Sequence, residues 1–158
     1  MEAQPAPAPA PSIASHLAAI EKLLGQILRA GRFELGSVIR KTASDQADIE
    51  APEFVVELSG PDSDLLLEKH AAFLDALEYV VLRAVRLEEE LFGKITLDCQ
   101  GWRHLRAEEL KLMAQVAAQR VVETGDPFAL SPMSPRERRI VHLALREQPA
   151  VRTASEGA

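Results

Sequence analysis

The spacing of apolar residues along this chain switches repeatedly between the helical period and the strand period. Helically spaced stretches alternate with short runs of β-branched and aromatic residues, a pattern that predicts an α+β fold. The predicted helices cover residues 12–30, 63–67, 71–91, 105–123 and 135–146. The predicted strands cover residues 33–41, 54–59, 95–98 and 151–153.

The predicted elements group into two small domains preceded by a tail. Residues 1–11 alternate proline with alanine, a composition that buries no core and favours extended conformations, so we expect a disordered tail. At 158 residues the chain is long enough for two small domains. We place the first over residues 12–99 and the second over 100–158.

Charge is distributed unevenly between the two halves. The net charge is −6, yet residues 1–100 carry 9 Lys and Arg against 17 Asp and Glu, whereas residues 101–158 carry 9 against 7. Any polyanion binding is therefore expected in the second part. No apolar run reaches the ~20 residues of a membrane span, and the single cysteine, Cys99, fits a reducing compartment. We expect a cytoplasmic protein without membrane insertion.

A strong helix-start signal precedes the last predicted helix. Ser134 and Glu137 form a Ser-x-x-Glu capping box, and Pro135 occupies the first helical position. Arg138 and His142 are four residues apart, so they project from one face of that helix. A guanidinium beside an imidazole suits a phosphate oxygen.

The segment from Pro132 to Gly157 resembles the Arg-x-x-x-His (R-three-H) single-strand nucleic-acid-binding domain of the bacterial Jag family, the SpoIIIJ-associated proteins. The resemblance extends upstream through Thr124-Gly125 to Leu97-Asp98-Cys99-Gln100-Gly101-Trp102-Arg103. Members carry a KH domain before this one. The resemblance therefore implies a type II KH-like domain (helix-strand-strand-helix-helix-strand) followed by a small domain of two helices and a short sheet.

The resemblance also implies a partner and a set of binding residues. The partner is single-stranded RNA or DNA, with a small KH-domain protein or a second copy of the chain as further candidates. Because the family pattern continues beyond the position of Ala158 with a closing strand, we expect the second domain to lack that strand. The implied nucleic-acid-binding residues are Arg138, His142, Arg139, Arg152, Thr153 and Ser155.

One loop departs from the family pattern. KH domains hold nucleotides with a Gly-x-x-Gly loop, but here the corresponding stretch is Glu68-Lys69-His70-Ala71. A carboxylate at the first position repels a phosphate by about 1 to 4 kcal/mol, and Ala71 is expected to place a β-carbon at the closest approach. We predict a degenerate loop in a structural or partner-binding module.

Two functional interpretations remain open. The first is a regulatory protein that contacts nucleic-acid phosphates through the Arg-x-x-x-His helix. The second is a protein-interaction or dimerisation adaptor that has lost nucleic-acid binding, since exposed arginines such as Arg139 and Arg152 are equally often ordinary solubilising charge. No catalytic motif can be assembled, and His16, His104 and Cys99 lack companions at metal-ligand spacing. We predict no enzyme activity, cofactor or metal.

Overall fold

The computed structural model describes residues 13–42 and 52–156, so the predicted tail at 1–11 lies outside the described residues. The chain divides into two compact units, residues 1–100 and 101–158. The fold is α+β, as predicted. The first unit contains α1 (Ile13–Ala30), β1 (Gly36–Lys41), β2 (Phe54–Ser59), α2 (Ser63–Ala84), a short 3₁₀ turn (Glu89–Leu91) and β3 (Ile95–Cys99). The second contains α3 (Trp102–Thr124) and α4 (Pro135–Leu145).

A three-stranded sheet forms the centre of the first unit. The strand order is β1-β2-β3, with β1 antiparallel and β3 parallel to β2. Val56 in the central strand lies opposite Ile39 on one side and Leu97 on the other. The apolar stripes of α1 and α2 contribute further buried side chains to this core. They include Ile20, Leu24, Leu74 and Val81.

Helix α2 is interrupted where the sequence predicts a break between two helices. Glu68 is extended (φ −57°, ψ 150°), and Lys69, His70 and Ala71 follow with left-handed backbones at φ +51°, +58° and +58°. L-residues adopt this conformation at a cost of roughly 1 to 2 kcal/mol each. The loop therefore takes, with non-glycine residues, a backbone path for which glycine is the usual choice.

The second part of α2 ends earlier than the predicted residue 91. Arg86 adopts a left-handed backbone (φ +53°), its N–H donates to the carbonyl of Arg83, and the N–H of Leu87 donates to the carbonyl of Leu82. These two bonds define a Schellman motif, which closes the helix and turns Leu87 into the core. The apolar periodicity up to Leu91 thus continues past the true end of the helix.

Gly60 and its neighbours fix the connection between β2 and α2. A β-carbon on Gly60, whose φ is +152°, would lie 2.2 Å from the carbonyl oxygen of Glu34. Asp62 reinforces this close approach, because its Oδ2 accepts a 2.7 Å hydrogen bond from the Glu34 N–H. The Ser63 hydroxyl donates to the Gly60 carbonyl at 2.7 Å. Only glycine fits here without moving the chain.

A carboxylate from α2 covers part of the β3 edge. Glu78 Oε2 accepts hydrogen bonds from the Leu97 N–H and from the Thr96 hydroxyl, both at 2.7 Å. Within the described sheet, β3 is the outer neighbour of β2. The Glu78 side chain therefore accepts the hydrogen bond of a backbone N–H, that of Leu97, which points away from β2.

The second unit is built from two helices packed on each other. Its buried centre consists of Leu110, Ala114, Ala118, Val141 and Leu145. The prediction of a short sheet with a strand at residues 151–153 is wrong, because residues 151–156 form no strand. The described part of this unit offers no second strand with which a ladder could form, and the Val151 N–H instead donates to the Gln148 carbonyl in a turn.

Among the described residues, no helix is both long enough and apolar enough to cross a membrane.

Candidate nucleic-acid interface

The capping box at the start of α4 is formed as predicted. Ser134 Oγ accepts a hydrogen bond from the Glu137 N–H at 3.3 Å, and Glu137 Oε2 accepts one from the Ser134 N–H at 2.8 Å. Pro135 occupies the first turn, where a missing N–H has no effect on helix bonding. These local contacts fix where α4 begins and hence which side chains share a face.

Glu137 also joins α4 to α3 through an ion pair that sequence reasoning missed. Its Oε1 accepts a 2.7 Å hydrogen bond from Arg106 Nε, and the two side chains are only 17% and 13% exposed. Burial raises the pKa of Glu137, but hydrogen bonds from Arg106 and Ser134 outweigh burial, so the pKa lies below its ordinary value. Arg106 also pairs with the exposed carboxylate of Glu109.

Arg138 and His142 are partly buried side chains one turn apart on α4. Within residues 13–42 and 52–156, the guanidinium of Arg138 forms no hydrogen bond or ion pair. Neither side chain therefore takes part in an ion pair with another described residue. A partly buried guanidinium without a carboxylate partner retains all of its donors for an external anion.

His142 is bound to two hydroxyls from the segment that follows α4. Its Nδ1 lies 2.5 Å from Thr153 Oγ1, and its Nε2 lies 3.1 Å from Ser155 Oγ. The segment returns to the helix because Val151 packs against the core of the unit. The fold thus brings together four of the six predicted binding residues, which we call the α4 surface: Arg138, His142, Thr153 and Ser155.

The other two predicted binding residues lie beside this surface. Arg139 follows Arg138 on α4, and Arg152 precedes Thr153 in the returning segment. Both side chains are exposed. Arg152 has no ion-pair partner in the described part of the chain. Each arginine is thus the sequence neighbour of one member of the α4 surface.

The loop inside α2 differs in one respect from what the sequence suggested. Glu68, Lys69 and His70 are exposed, but Ala71 is fully buried in the core of the first unit. The expectation that the Ala71 β-carbon would meet a bound phosphate is wrong, because a fully buried residue is out of reach of a ligand. The exposed carboxylate of Glu68 is the group of this loop that would repel an anion.

The described residues contain no group of three or more His, Cys, Asp or Glu side chains able to hold a metal ion.

Comparison with known proteins places this geometry in a family. Residues 108–158 match the model of the R-three-H domain. A protein of Clostridium symbiosum named RNA-binding protein KhpB is 36% identical over 105 residues, which cover 66% of this chain and 47% of that protein. Over these residues the chain is similar to the KhpB proteins of the Jag family. The R-three-H match contains all of α4 and the whole α4 surface.

Two further relatives show a similar level of identity. The RNA-binding protein KhpB of Lactiplantibacillus plantarum is 32% identical over 93 residues, covering 59% of this chain and 29% of the relative. That of Bacillus subtilis is 31% identical over 85 residues, covering 54% and 41%. The chain therefore spans less than half the length of these curated relatives.

Proposed function

We propose that this protein binds single-stranded nucleic acid, RNA in the first place, and that backbone phosphates meet the α4 surface. One observation carries the proposal: the Arg138 guanidinium, which has no partner among the described residues, lies one helical turn from the His142 ring, which itself contacts the hydroxyls of Thr153 and Ser155. The relatives' name, RNA-binding protein, and the R-three-H match support the choice of ligand.

The chemistry of the α4 surface matches that of a phosphodiester. Guanidinium and hydroxyl donors are the usual protein partners of phosphate oxygens, and contacts to phosphate carry no base preference. Arg139 and Arg152 extend the positive area. Since only a handful of cations displace counterions, the affinity is modest, and it falls as the salt concentration rises.

The first unit is proposed to be a type II KH-like module over residues 12–99, followed by the R-three-H-type domain over 100–158. Its element order, with α2 divided at residues 68–71, supports this assignment. The carboxylate of Glu68 in the exposed loop weakens phosphate binding there. The module then serves a structural or partner-binding role, within a cytoplasmic protein that has no catalytic function and no cofactor.

Fluorescence anisotropy with a labelled single-stranded oligouridylate tests the proposal. We expect Arg138→Ala and His142→Ala each to weaken binding by about tenfold or more, which corresponds to roughly 1 to 3 kcal/mol per lost contact. Arg29→Ala on α1 removes the same charge from the first unit and should leave affinity within about twofold. Equal losses in all three variants would show that binding follows net charge and not this surface.

A second candidate function is the protein-interaction adaptor. The observation that favours it is an apolar stripe on α3, where Leu105, Leu112 and Val116 are 63%, 64% and 61% exposed. Their spacing of seven and four residues places them on one face of the helix. A small KH-domain protein or a second copy would be the partner. A flat anisotropy titration of the native chain would favour this function over nucleic-acid binding.

A further inference from the structure

We infer that His142 is a positioning residue that recognises phosphate through proton uptake: the charged ring donates both of its N–H groups to Thr153 and Ser155, and these hydroxyls then donate their own protons to the phosphate. The inference rests on the proposed function and adds to it. It states which atoms face the ligand and makes binding depend on pH.

The first step is that the ring has no nitrogen left for a ligand. Nδ1 is engaged by Thr153 Oγ1 and Nε2 by Ser155 Oγ. An imidazole has only these two polar atoms. In this arrangement the groups of the α4 surface that remain available to a phosphate are the two hydroxyls and the guanidinium of Arg138.

The second step counts protons. A neutral imidazole has one N–H and one bare nitrogen, so the bare nitrogen must accept the proton of one of the two hydroxyls. That hydroxyl then has no proton to offer a phosphate. A charged imidazole donates from both nitrogens, and both hydroxyl protons become free to point outward. Protonation therefore raises the number of hydroxyl donors facing the ligand from one to two.

The third step is the charge around the ring. Arg138 lies one turn before His142 on α4, and Arg146 lies four residues after it at the end of the helix. In the returning segment, Arg152 and Glu156 flank the two hydroxyls in the sequence. Helix α3 contributes apolar Leu110, Ala114 and Ala118 to the shared core, and its Arg106 is engaged by Glu137. The protonated His142 ring would be a second cation beside Arg138, and a bound phosphate offsets the repulsion between the two. Proton uptake and phosphate binding therefore favour each other.

The test measures the affinity of the full chain for the labelled oligouridylate between about pH 5.5 and 8 at constant ionic strength, the range in which imidazole ordinarily titrates. We expect affinity to fall as pH rises, by up to about tenfold per pH unit, the limit for uptake of one proton. His142→Asn keeps a donor and an acceptor near Nδ1 but cannot titrate, so its binding should be weak and flat with pH. Thr153→Val and Ser155→Ala should each reduce the pH dependence.

The control is His104→Asn, which removes an imidazole from an exposed position on α3 and should keep the native pH profile. A native profile that is flat, or an unchanged profile in His142→Asn, would overturn the inference and leave the proposed function standing. Absence of binding at every pH would overturn both.

Nitrogen-15 NMR of the imidazole provides a second measurement on the native chain, independent of whether any variant folds. Addition of the oligouridylate near neutral pH should convert the His142 ring to its doubly protonated form. A ring that stays neutral in the saturated complex would refute the inference directly.

Discussion

At the scale of single residues, one carboxylate performs two tasks in the second unit. Glu137 caps α4 through Ser134 and pairs with Arg106 of α3. The sequence predicted the first contact, because a capping box is a local pattern of four residues. It missed the second contact, which spans 31 residues. The hydrogen bonds from His142 to Thr153 and Ser155 were missed for the same reason. They depend on a turn beyond α4, in a segment where the sequence pattern predicts a strand.

Glu137→Gln should destabilise the second unit by about 1 to 3 kcal/mol, because Gln still caps the helix while the largely buried Arg106 side chain loses the less exposed of its two carboxylate partners. The lowered pKa of Glu137 means that its stabilisation is complete above its ordinary pKa and is lost as the pH falls through the folded-state value. The melting temperature, followed by circular dichroism, should therefore fall less steeply below about pH 4.5 in this variant than in the native chain.

Glu109→Gln is the matched control, since Glu109 binds the same arginine from an exposed position. Its effect on stability should stay below about 1 kcal/mol. Equal effects of the two substitutions would contradict the role assigned to Glu137.

At the scale of elements, helix positions were predictable and helix ends were less so. Apolar periodicity located the four helices of the described residues, but α2 ends in a Schellman motif whose left-handed residue is Arg86, where glycine would have marked the end. The strand predicted at residues 151–153 failed because a strand is defined by a partner, which β-propensity alone does not supply. The loop at 68–71 was located by family resemblance, whereas its run of left-handed residues was visible only in the structure.

Lys69→Gly should stabilise the first unit by up to about 1 kcal/mol. The exposed lysine has φ +51°, so glycine relieves backbone strain, and the gain is partly offset by the greater freedom of glycine in the unfolded chain. Chemical denaturation measures the change. Ala72→Gly, one helical residue beyond the loop, should instead destabilise by about 1 kcal/mol. Destabilisation by both substitutions would argue against strain at Lys69.

At the scale of the whole molecule, the chain consists of an acidic first unit and a mildly basic second unit, each with its own buried centre. Chain length, element order and the family resemblance predicted two small domains, and the charge distribution predicted polyanion binding in the second. Four of the six candidate binding residues lie together in the second unit, because helical spacing and the returning segment bring them together. The hydrogen-bond partners of the candidate side chains, in contrast, could be identified only from the packed structure.

Gly60→Ala should destabilise the first unit by about 2 to 4 kcal/mol, because the new β-carbon collides with the Glu34 carbonyl. Since the α4 surface belongs to the other compact unit, oligouridylate binding at low temperature should persist in this variant. Gly93→Ala, with φ +87° but open space around the new carbon, should lose only about 1 to 2 kcal/mol. Thermal unfolding and anisotropy together check the result, and loss of binding in Gly60→Ala would show that the units do not act separately.

The carboxylate that Glu78 places on β3 makes the two borders of the sheet chemically unequal. An unprotected border attracts strands from neighbouring molecules, a common route to aggregation. At β3 an incoming strand would first have to displace a charged group from the Leu97 N–H and leave that group without its donors. Pairing of a further strand at β3 is therefore less favourable than at a border whose N–H groups are unoccupied.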